Sequence, residues 1–359
     1  MALIQKKCQT SNFIPFKNRQ QALYNNHMNI NERKKRWCDF YTGKNKTILL
    51  IEMDYGERIY PAPDSMDKFF DYTVHKYRVQ MDCLEWLDDD RVPCISAVMG
   101  TENFAHAFGC PVIYPGNNNP FTKPIIFSAS DAAKLKKPKL ENSSLMELIE
   151  YGHKLKAAAP DALIQLPDVQ SPLDIAALIW DKTDFFTAFY DDPQAVKDLI
   201  AICCELLIEF FDLWFAAFGK EFIAHYPDYY MPYGITLSED EIGSISSGQF
   251  MEFAYPALCK LSDHFGGRIG IHCCANSRHQ WGVLKTIPGL VMLNLVQPDN
   301  IIKEASVYFK DTSCQMFGIN QNNCTDLNAR VVLQAYANSK SDALEKLKSL
   351  KEQKSKRQQ

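Results

Sequence analysis

The chain has 359 residues, of which 46% are hydrophobic and 23% charged, the balance of an ordinary globular protein and not of a disordered or collagenous one. Lys plus Arg number 39 against 43 Asp plus Glu, a formal charge of -4, so no overall positive field draws nucleic acid. No run of about 18 apolar residues occurs; even Leu199 to Phe218 is broken by Glu205, Glu209 and Asp212. The start, MALIQKKCQT, lacks the apolar core of an export signal, so a cytoplasmic protein is expected. Twelve scattered cysteines with no framework spacing read as reduced, and Cys203 and Cys204, inside an apolar helical pattern, read as core.

Residues 1–45 read as an extension of short polar helices, 46–325 as the body, and 326–359 as a helical tail ending in the solvated run KLKSLKEQKSKRQQ. From Thr47 onward short apolar runs alternate with helical patterns. Strands are expected near 47–53, 92–99, 162–166, 233–237, 268–272, 290–296 and 314–319, with a proline-rich excursion at 110–136 carrying at most a short hairpin. This βα rhythm implies an α/β fold built on a mostly parallel sheet, with about seven barrel-like strands and no evident eighth.

The sharpest chemical signal is IGIHCCANSRHQW. A strand of period two ending here turns His272 and Cys274 to one side and Cys273 to the other. An imidazole and a thiolate on one side of a strand end are borderline-soft donors suited to zinc, which in a catalytic site needs a third protein ligand and an open position. The bland reading is a pair of residues beside the core. Cys324, in the loop INQNNC just past a strand, is the preferred third ligand over Glu239, Asp240 or Asp299; its alternative is a surface cysteine in a loop.

Other candidates cluster at expected strand ends. Glu239 and Asp240 are catalytic candidates that orient His272, ligate metal or accept a proton, the alternative being helix capping. Asp168 is a further catalytic candidate, with Gln170 on its side of the strand as a substrate contact. Glu102 is a pocket acid or a first-turn partner of its helix. Tyr233, with a packed aromatic as its alternative, and Asn294 complete the expected substrate contacts.

In order along the chain, GTENFAHAFGC, LPDVQSPLDIAALIW, ITLSEDEIGSISSGQFMEFAYPALCKLSDHFGG and IHCCANSRHQW together resemble the uroporphyrinogen decarboxylase (URO-D)-like superfamily over about Thr47 to Cys324. The resemblance is closer to the zinc-dependent methylcobamide:thiol methyltransferases than to the decarboxylase of haem synthesis. It implies a (β/α)8 TIM-like barrel and a zinc-dependent transfer of methyl from a corrinoid protein or a methylated small molecule to a thiol or another acceptor. In the family's methyltransferases a late-strand cysteine completes the metal site. The partners so implied are a small-molecule substrate, a corrinoid protein and a second copy in a homodimer; the charge balance and the lack of a long apolar run point to neither nucleic acid nor membrane. The decarboxylases' arginine-rich RQAGRY element is missing: TILLIEMDYGERIY offers Arg58 alone, and Asn18, Arg19 and Gln20 lack the second arginine. Two other readings stay open, a decarboxylase-type activity and a barrel that binds a small molecule without catalysis.

Overall fold

The computed structural model describes residues 16–97, 100–310, 317–319 and 330–357. The fold is α/β. Its strands are β1 (Thr47–Met53), β2 (Cys94–Ser96), β3 (Val112–Ile113), β4 (Phe121–Thr122), β5 (Leu163–Gln165), β6 (Phe222–Ile223), β7 (Tyr230–Met231), β8 (Ile235–Ser238), β9 (Ile269–Cys273), β10 (Leu290–Leu295), β11 (Phe317–Ile319) and β12 (Val331–Ala337). Three parallel arcs result: β11, β12 and β1; β2, β5 and β6; and β8, β9 and β10. A parallel bridge between Gln170 and Ser238 joins the second arc to the third. Among the described residues the arcs do not close into one continuous ladder.

The parallel strands are mostly buried, as strands covered by helices must be. Every residue of β8 and β9 is buried, the polar Thr236 and Ser238 of ITLS included. Helix Pro172–Ile179 starts where expected: Ser171 caps it by accepting the Asp174 N–H, and Pro172 occupies the first turn. Cys203 and Cys204 are buried in helix Pro193–Phe218. The proline-rich excursion holds the short antiparallel hairpin of β3 and β4.

Two expectations are corrected at the chain ends. The segment read as short polar helices is one helix, Phe16–Tyr41, fixed by buried charge. Its Arg33 pairs with Asp89 at 2.5 Å, and Arg36 pairs with Asp90. Asp90 in turn accepts the Leu49 N–H at 2.7 Å and Asp89 the Ile51 N–H at 3.0 Å, so these carboxylates satisfy backbone donors of β1. Asp89 and Asp90 therefore join helix to sheet.

The second correction concerns the tail, which is not wholly helical. VVLQAYA forms β12, which lies between β1 and β11 and pairs with β1 from Thr47↔Val331 to Met53↔Ala337. Only after it does helix Lys340–Arg357 begin, burying Ala343, Leu347 and Leu350. The missed signal is the β-branched start, Val331 and Val332, of a run bounded by Arg330 and Asn338–Ser339.

Candidate metal centre

Register builds the site. In the third arc Ser238 is level with His272, and His272 with Asn294, while Gln170 bridges to Ser238 from the other side. Asp240 lies two residues beyond Ser238 and Cys274 two beyond His272. Strand periodicity therefore aims Asp240, His272 and Cys274 at one volume beyond the carboxyl ends of β8 and β9. One donor atom from each, a carboxylate oxygen, an imidazole nitrogen and a thiol sulfur, lies within 4.8 Å of the others. The neighbouring Cys273 is buried with its sulfur 3.6 Å from the Ala275 carbonyl, whereas Cys274 is exposed.

Each member of the triad is held from behind. His272 Nδ1 is 2.6 Å from Asn294 Oδ1; with Nδ1–H donating to that oxygen, Nε2 is left as the free lone pair. Burial lowers the pKa of His272 from its ordinary value, so the ring is neutral and able to ligate. Asp240 Oδ1 accepts the Cys274 N–H at 2.5 Å, leaving Oδ2 for another partner. The turn carrying Asp240 rests on Asp174, whose carboxylate accepts the N–H groups of Asp240 at 2.8 Å and Glu241 at 2.9 Å. Although the residue is exposed, partial burial of its sulfur and then the Asp240 charge push the Cys274 thiol up to about 12. A cation in the volume reverses that repulsion.

This arrangement predicts that Asn294→Ala weakens zinc binding by about 10- to 100-fold, the usual cost of losing a partner that orients a ligating histidine. Competitive titration against a chromogenic chelator measures it, and an unchanged affinity would show that Asn294 does not set the His272 tautomer.

The remaining candidates are placed differently from one another. Asp168 stays near the mouth, accepting from Gln170 Nε2 at 2.7 Å; burial raises it to about 6, against the pull of that bond and with help from the Asp240 charge. Glu102 is buried at the start of helix Glu102–Ala107 and pushed up to about 7 by burial, with Asp168 adding to the rise. Its carboxylate fills the space a Gly100 side chain would take, 2.1 Å from the would-be Cβ.

Glu239 is not part of the triad. It faces away from the mouth, fully buried among Asp174 and Ser171, and burial and Asp174 push it well above the usual carboxylate range. Asp174 is pushed up as well, but its two backbone N–H donors favour charge there and leave the proton on Glu239.

Tyr233 is also misplaced by the sequence reading. It precedes β8 at the strand's amino end, where the Arg268 guanidinium stacks 5.1 Å from its ring centroid, so it cannot meet a substrate at the opposite end. Cys324 lies outside the described residues. Asn294, expected to touch substrate, braces His272 and also lines a cavity beside it.

Sequence reasoning passed over Asp174, a first-turn acid of helix Pro172–Ile179, and the hairpin of β6 and β7. That hairpin brings Tyr226 edge-on to His272, ring centroids 4.6 Å apart, and places His225 Nε2 3.0 Å from Ser238 Oγ. Tyr226 also borders two cavities. One, of about 350 Å³, is lined by Tyr55, Lys76, His225 and Asp228 among others; the second, of about 390 Å³, by Asn294, Gln297 and Gln334 among others.

The family model for uroporphyrinogen decarboxylase (URO-D) matches residues 78–312, more than half of the chain and including the whole triad. The chain belongs to the URO-D family. A methyltransferase from Methanosarcina mazei is similar in structure to this URO-D family member, with a TM-score of 0.62 at 12% identity over 90% of this chain and 98% of that one. At that identity the likeness speaks for the fold alone. No curated protein matches the URO-D chain by sequence. No helix among its described residues is long and apolar enough to cross a membrane.

Proposed function

We propose that this URO-D family protein is a zinc-dependent methyltransferase that moves a methyl group from a corrinoid protein or a methylated small molecule to a thiol. The observation that carries the reading is the convergence of Asp240, His272 and Cys274 donor atoms within 4.8 Å, with the second nitrogen of His272 already engaged by Asn294. Tetrahedral zinc sets its ligands roughly 3.5 Å apart, so the triad needs to draw in by about an ångström. The methyltransferase likeness supports the reading, as does the family's barrel: the three parallel arcs, with β12 beside β1, read as parts of one (β/α)8 barrel whose mouth carries the triad.

Asp240, His272 and Cys274 would hold the metal. When bound, zinc supplies a Lewis acid that favours a substrate thiol in its thiolate form near neutral pH. Asp168, at about 6, is mostly ionised at pH 7 and takes the thiol proton at Oδ2, the oxygen Gln170 leaves free. The thiolate sulfur then forms a bond to the methyl carbon as the bond to the methyl carrier breaks, its electron pair staying on the carrier.

The decarboxylase alternative fits less well. Arg58 is the one arginine lining either cavity among the described residues, too few to pair with an octa-acid tetrapyrrole.

The test is the pH dependence of zinc binding. His272 is neutral above its lowered pKa, whereas Cys274, raised to about 12, must release a proton to ligate. Apparent zinc affinity should therefore rise about tenfold per pH unit from pH 7 to 9, with one proton released per zinc. A flat profile would remove Cys274 from the metal and with it this reading.

A further inference from the structure

Two exposed features on the helical side of the molecule, away from the triad, match each other in chemistry. The first is a groove of about 800 Å³ between residues 278–282 and helix Asp299–Tyr308. Buried Trp281 and exposed Gly282, Val307 and Tyr308 line it, and Gly282 leaves it open: a would-be Cβ there meets nothing nearer than the Tyr308 hydroxyl at 3.7 Å. Of its charged residues, Arg278 is already paired with Glu304 at 2.6 Å. Lys303 has no ion pair among the described residues, so the groove is apolar with one surplus positive charge.

The second feature is the end of helix Lys182–Asp191. Tyr190 is 78% exposed, the most exposed large hydrophobic side chain among the described residues. Asp191, beside it, is exposed and has no partner among the described residues. An exposed tyrosine alone needs no explanation. Its place relative to the groove does, because both features flank one segment, residues 247–254. On one side Phe189 meets Phe253, ring centroids 4.5 Å apart; on the other Ser247 Oγ donates to the His279 carbonyl at 2.7 Å. Met251, within that segment, is exposed as well.

We infer that this side of the molecule binds a second copy of the chain about a two-fold axis near Met251, with Tyr190 of each copy entering the groove of the other and Asp191 meeting Lys303. The occupant is a second copy because one chain carries both halves, an aromatic ring beside a free carboxylate and an apolar groove beside a free ammonium, on either side of one segment. A single rotation then makes both contacts. Size requires the doubling. A tyrosine buries about 150 to 250 Å², far below the roughly 1,200 Å² of a stable interface. Two such contacts, with Met251, Val307 and Tyr308 covered between them, bring the total toward that range. The inference is independent of zinc and of methyl transfer.

Sedimentation equilibrium of the full-length protein across the micromolar range tests it. The wild type should dimerise. Tyr190→Ala, and Gly282→Tyr, which fills the groove, should each raise the dimer Kd at least about tenfold, as loss of a buried aromatic anchor does. Neither should lower Tm, since both positions face solvent in the single chain. Asp191→Lys and Lys303→Glu supply the test of pairing. Each alone sets like charges together at both contacts and should dissociate the dimer. Mixed in equal amounts, the two variants should form a heterodimer, because both contacts are then opposite in sign. A monomeric wild type, a dimer indifferent to either Tyr190→Ala or Gly282→Tyr, or charge variants that do not recombine overturns the inference.

Discussion

Alanine at His272 lowers zinc affinity by two to three orders of magnitude, while alanine at the adjacent Cys273 leaves it nearly unchanged. The magnitude follows from sharing a zinc site's binding free energy, about 10 to 16 kcal/mol for four ligands, so that one ligand contributes about 3 to 4 kcal/mol. The contrast follows from strand register: Ser238 is level with His272, and His272 with Asn294, so the imidazole faces the volume that Asp240 and Cys274 also face. Cys273 projects to the other side and is fully buried. Its substitution is a core truncation, read in thermal stability and not in metal content. Equal losses of zinc from both variants would mean that the strand presents the other face to the mouth.

A chain ending at Arg330 does not fold. The deletion removes β12 from between β1 and β11, with its register of pairs to β1 and three more to β11. Val331, Val332 and Leu333 are fully buried, and their burial alone is worth about 5 to 9 kcal/mol. That is comparable with the 5 to 15 kcal/mol by which a whole domain is stable. Helix Lys340–Arg357, which packs on both β1 and β12, is lost with it. Far-UV circular dichroism should show no cooperative thermal transition in the truncated chain. A transition within a few degrees of the intact protein would make residues 331–357 the appendage that their charge run suggests.

Much of the architecture was legible because parallel strands leave a strong trace. Runs such as TILLIEM and LVMLNL, separated by helical periods, locate β1 and β10 without any partner in view. β12 escaped because VVLQAYA is followed at once by a long charged helix, and a seven-residue apolar run beside such a helix reads as part of it. The hairpin of β6 and β7 escaped for another reason: two-residue strands leave no period to detect.

The site divides in the same way. His272 and Cys274 were legible because their spacing, two, is itself the strand period. The choice among Cys324, Glu239, Asp240 and Asp299 as third donor depends on how separate strands line up, which no local pattern encodes. The lining-up brings Asp240 to His272 and turns Glu239 inward, although the two acids are adjacent in sequence. Asp174 was illegible for the same reason, because its work is to hold a turn 66 residues away in the chain.

X-ray absorption at the zinc edge, on protein purified without chelator and held in thiol-free buffer, tests the metal centre most directly. The triad of Asp240, His272 and Cys274 predicts about one zinc per chain, with a single sulfur near 2.3 Å and nitrogen or oxygen neighbours near 2.0 to 2.1 Å. Protein that takes up no zinc, or zinc with no sulfur neighbour, would contradict it.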